Sequence, residues 1–167
     1  MSSKDNFSDE EWGLVIQAPL VAGFAVTAAD PGGLIGAFQE SAAVAKAMTN
    51  AKQSAAEGSL LAEAVSAFET SEARGIARQG VRELTKGNTP AEACDAAIVR
   101  LREISGLVRT KTPDESDAFN NWLAGIAESV AEAAKEGGFM GFGGEPVSDA
   151  EHKALADINT ALTGAVA

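Results

Sequence analysis

Residues 8–29 read SDEEWGLVIQAPLVAGFAVTAA, and this stretch decides the fold class. Ser8 stands three residues ahead of Glu11. At that spacing the hydroxyl accepts from the third helical N–H while the carboxylate reaches back to the cap N–H. Phe7 and Trp12 sit where a hydrophobic staple places its two side chains. From Gly13 to Ala29 no residue is charged, and beyond Asp30 charge is absent again as far as Gln39. A membrane span needs about 20 apolar residues with basic flanks. This run carries Gln17, Pro19 and Thr27, is preceded by Asp9, Glu10 and Glu11, and breaks at Asp30-Pro31-Gly32-Gly33. The expectation is a buried central helix, bent or interrupted near Pro19, and no membrane span.

Working outward, the same start signal recurs at Thr89 with Glu92, Thr112 with Glu115 and Ser148 with Glu151, with Pro90 and Pro113 at first helical positions. Between these starts apolar residues recur at helical spacing. Ile35, Phe38, Ala42, Ala45 and Met48 form one set, followed by a polar stretch from Thr49 to Gly58. Leu61, Ala64, Val65 and Phe68 mark a short helix, and Ser71 to Lys86 a further one closed by Gly87. Cys94, Ala97, Ile98, Leu101, Ser105 and Val108 make one stripe, and Phe119, Trp122, Ile126, Val130 and Ala133 another. After a glycine-rich loop, Leu155, Ile158 and Leu162 point inward from the last helix.

Composition agrees. Of 167 residues 46% are hydrophobic, but only 5% are aromatic and none is tyrosine. Alanine favours close helix packing, whereas strands favour the β-branched and aromatic residues that are scarce here. The reading is all-α, one domain over residues 1–167, a bundle of about six or seven helices, with residues 1–7 as a disordered or extended tail. Trp12 and Trp122 each open an apolar helix leading to a glycine cluster, Gly32–Gly36 and Gly137–Gly141. Two related hairpins and coincidence both account for that echo.

Catalytic parts are few. His152 is the only histidine and Cys94 the only cysteine, so no histidine-based metal cluster can form and no internal disulfide is expected. Cys94 lies on an apolar stripe, where a thiol packs as a small hydrophobe. No catalytic residue, metal ligand or cofactor is nominated, and the expected compartment is the cytoplasm, there being no secretory signal. The net charge of −11 disfavours nucleic acid and anionic lipid.

Two segments are candidates for contacts. Gly137-Gly138-Phe139-Met140-Gly141-Phe142-Gly143-Gly144 is either a tight connection with its rings in the core or an exposed hook offering Phe139, Met140 and Phe142 to a partner. The other is a basic row. All six arginines lie between Arg74 and Arg109, and Glu72–Lys111 holds eight basic and five acidic residues, +3 against −14 for the remainder. Arg74, Arg78, Arg82 and Lys86 recur every four residues on one helix face. They are expected to be solvated and to pair with the chain's own acids, or else to meet an acidic protein partner or an anionic ligand.

Two stretches together resemble an uncharacterised group of bacterial all-helical proteins: Trp12 to Glu40, with Ala18-Pro19 and Ala28-Ala29-Asp30-Pro31-Gly32-Gly33, and the glycine loop leading into Val147-Ser148-Asp149-Ala150-Glu151. The run Gly144–Glu151 is also similar to a helix start of tellurite-resistance TerB-like proteins. That family has Asp-Gly where this chain has Gly143-Gly144, which removes a metal ligand, so no metal site is carried over. The function expected is non-enzymatic, through protein–protein contacts, with a homo-oligomer or an acidic protein as partner. The alternative is a small-ligand or cation-binding helical domain of the stress-response sort.

Overall fold

A helix that is apolar on every side requires cover on every side. The computed structural model describes residues 2–29, 37–136 and 148–164, without the side chains of 37–41 and 134–136. In it a short 3-10 turn, Ser3–Asn6, precedes seven α-helices: α1 Asp9–Ala29, α2 Ala37–Ser54, α3 Leu60–Ala67, α4 Ser71–Thr85, α5 Pro90–Lys111, α6 Pro113–Glu136 and α7 Asp149–Thr163. No strand occurs among the described residues. α1 is the centre. It packs most extensively on α5 and α4, then on α6 and α7, while α2 lies along α6 and α3 bridges α2 and α6. Val15, Ile16, Ala18, Val21, Ala22, Ala25 and Val26 of α1 are all buried. By length and composition α1 could also cross a membrane; here α4 to α7 surround it.

Small residues set the spacing of this core. Ala73 and Ala77 on α4 share a buried cluster with Ile16 of α1, and Ala93 and Ala97 on α5 are buried as well. At Gly80 the approach is close: a Cβ there would lie 2.4 Å from Gln17 Oε1. Gln17 in turn accepts from Arg100 Nη1 at 2.7 Å, so its amide is fixed between α4 and α5. The expected stripe of α5 is buried in full, Cys94, Ala97, Ile98, Leu101, Ser105 and Val108 alike. α1 runs through Pro19 without interruption. The missing N–H removes one hydrogen bond of the helix, and burial of the ring among surrounding helices holds the turn together.

Three of the four capping boxes form, at Ser8, Thr89 and Ser148. The fourth does not. Thr112 is the C-terminal cap of α5, and its hydroxyl donates to the Val108 carbonyl. The Glu115 carboxylate turns away to accept from the Ser3 hydroxyl and the Leu60 N–H, capping the first turn of α3 from another helix. Residues 2–7 also depart from the expected tail. The Glu63 carboxylate accepts from the Ser2 hydroxyl and, at 2.6 Å, from the Lys4 N–H. Phe7 is buried with its ring 6.0 Å from that of Trp12. Two carboxylates and one buried ring offset the entropy of ordering this segment. α2 outruns its expected end near Met48 and reaches Ser54. Buried Ala51 anchors those turns, while the Thr49 and Ser54 hydroxyls fold back onto the carbonyls of Ala45 and Asn50.

Candidate interaction surface

α4 begins at Thr70, whose hydroxyl accepts from the Ala73 N–H, and turns its buried face, Ala73, Ala77, Gly80 and Leu84, toward the interior. A residue four positions on advances about 40° around the axis, so a row with period four crosses gradually from one flank to the other. The basic row divides accordingly. Arg74 is half-buried, and its Nη1 donates to the carbonyls of Phe68 at 2.6 Å and Glu69 at 2.9 Å. It closes the carboxyl end of α3 and is not free for a partner. Arg78, Arg82 and Lys86 are exposed, and among the described residues none forms an ion pair. Arg82 reaches only the Gln79 amide oxygen, at 3.4 Å. The expected pairing with the chain's own acids is therefore absent from these three.

An acidic counterpart went unnoticed in the sequence. On α6 the exposed face carries Asp114, Asp117, Glu128 and Glu132, separated by Asn121 and Gly125, and none of these carboxylates has an ion-pair partner among the described residues. The four-residue step from Glu128 to Glu132 was the available signal. What made it visible is burial of the opposite side of α6, through Phe119, Leu123, Ile126, Val130 and Ala131.

Beside this face, α2 and α6 leave a cleft of about 870 Å³. Ala43, Ala47, Ala51, Gly125 and Ala133 line it, with Trp122 and Glu132. The Trp122 Nε1 and the Asn120 Oδ1 are buried without a hydrogen-bond partner among the described residues. A second cleft, about 470 Å³, lies where α1, α5 and α7 meet, lined by Cys94, Asp95, Lys153 and Asp157. Cys94 donates weakly to the Ala25 carbonyl at 3.3 Å, and burial first, then Asp95, pushes its thiol up from the usual range. Such a thiol is a poor nucleophile. His152 is exposed on α7, and among the described residues no three metal-binding side chains cluster. Phe139, Met140 and Phe142, and both glycine clusters of the echo, lie outside the described residues. Comparison with protein-family models, curated proteins and solved structures yields no match for this chain.

Proposed function

We propose that this chain is a cytoplasmic, non-enzymatic protein that works through protein–protein contacts, with Arg78, Arg82 and Lys86 of α4 docking an acidic partner. One observation carries the reading: in a chain with a net charge of −11, three neighbouring cations stand exposed with no carboxylate paired to them among the described residues. Like charges held in a row repel one another, and an acidic surface laid across them relieves that repulsion. The large apolar side chains exposed among the described residues, Ile76 and Val99, belong to α4 and its neighbour α5. A benzophenone side chain installed in place of Gln79 tests the assignment in cells. The expected result is a protein adduct that Arg78→Glu/Arg82→Glu abolishes. Labelling no stronger than from the same probe at Asn159 on α7 would reject it.

A second reading, a small-ligand or cation-binding helical domain of the stress-response sort, draws on the cleft holding Asp95 and Asp157. Lys153 already pairs with Asp157 at 2.5 Å, which weighs against a cation there. A melting temperature raised by millimolar Mg²⁺ or Ca²⁺, and no longer raised in Asp95→Asn, would favour it.

A further inference from the structure

We infer that the acidic surface recognised by α4 is α6 of a second copy of the same chain. The inference rests on the docking reading above and names its partner. Both halves of a complementary pair are present on one molecule. α4 offers Arg78 and Arg82 and α6 offers Glu128 and Glu132; all four are exposed and unpaired among the described residues. Each pair spans one four-residue step, about 6 Å along a helix axis, so two arginines of one copy meet two glutamates of another in register.

Within one molecule the rows cannot satisfy each other. α4 and α6 both pack against α1, and they have no extended contact with one another. The neighbouring relief favours the Glu128–Glu132 end over Asp114–Asp117. Glu132 itself lines the alanine-rich cleft between α2 and α6, which leaves room beside the carboxylates for arginine stems laid over apolar surface. Guanidinium groups suit this arrangement because they meet carboxylates through two parallel hydrogen bonds.

Because the two surfaces differ, the contact is heterologous. A bound pair still presents one free α4 and one free α6, so copies add in sequence or close into a ring. The net charge opposes this at a distance and the local pairs favour it at contact. At about 0.15 M salt the screening length is about 8 Å, which suppresses the long-range repulsion while close pairs persist; near 1 M, at about 3 Å, the pairs weaken too.

The test uses the full chain and sedimentation velocity. Wild type at moderate salt is expected to show a weight-average mass that rises with concentration and falls back to the monomer near 1 M salt. Arg78→Glu/Arg82→Glu and Glu128→Arg/Glu132→Arg, each with wild-type helical circular dichroism, should sediment alone as monomers. Their equimolar mixture should associate again, because each then supplies the charge that the other lacks. Wild type that remains monomeric at submillimolar concentration overturns the inference, as does either variant associating like wild type or a mixture that stays monomeric. A monomeric wild type that still gives a heterologous protein adduct from position 79 rejects the self-contact and leaves the docking reading standing.

Discussion

Gly75 and Gly80 stand on one helix and answer an added methyl group in opposite ways. At Gly75 a Cβ meets nothing within 4 Å, so Gly75→Ala is expected to stabilise the protein by about 0.5–1 kcal/mol through helix propensity alone. At Gly80 the methyl would enter the space of the Gln17 side chain, which Arg100 holds in place. Overpacking outweighs propensity there, and Gly80→Ala should destabilise by about 1–3 kcal/mol. Urea midpoints of the two variants give the comparison directly. The arginines divide in the same manner. Arg74→Gln removes a charged donor from two carbonyls at the end of α3 and should cost about 1 kcal/mol. Arg78→Gln/Arg82→Gln should stay within about 0.5 kcal/mol, since neither side chain supports the fold. A period of four was legible in the sequence and identified the row. It did not single out Arg74, because the acceptor of that guanidinium is backbone, which has no sequence signature.

A start signal names a helix end even where its carboxylate is claimed elsewhere: α6 begins at Pro113, directly after Thr112, although the box there does not form. Glu92 and Glu151 reach back to their own caps, whereas Glu115 serves the Ser3 hydroxyl and the first turn of α3. Thr89→Ala should therefore cost about 1 kcal/mol, the ordinary value of a cap. Glu115→Ala should cost more, about 2 kcal/mol, because it leaves the Leu60 N–H without its acceptor and the buried Ser3 hydroxyl with only the longer bond to the Gly58 carbonyl. Thermal melts of the two variants test the order, and hydrogen exchange at Leu60 should accelerate only in the second. Helix extents were largely readable: the expected run from Asp9 to Ala29 is α1. The tie between residues 3, 60 and 115 was not, since it joins parts of the chain that local pattern treats separately. The acidic face of α6 was hidden for a related reason, because exposure depends on which side the rest of the bundle covers.

Across the whole molecule, acid should weaken the fold through carboxylates held ionised in the native state. The Ser8 N–H, then Lys111, lower Glu11; Lys52 lowers Glu69; the Thr89 N–H lowers Glu92. Each folded value lies below the ordinary 4.5, so its contribution is complete above 4.5 and is lost as pH falls from there through the depressed value. The urea midpoint should be level from neutral pH to about 5 and decline below it, and Glu11→Gln should shrink that decline. The all-helical class was legible because α1 is apolar all round and its neighbours are rich in alanine. That central position has a further consequence, for biosynthesis. α1 is translated before every helix that covers it, and α5 is complete only about eighty residues later, ~4–16 s at ~5–20 residues per second. Until α5 is complete the nascent chain holds this apolar segment only partly covered, so a pause in translation before Lys111 is expected to increase its capture by holdase chaperones.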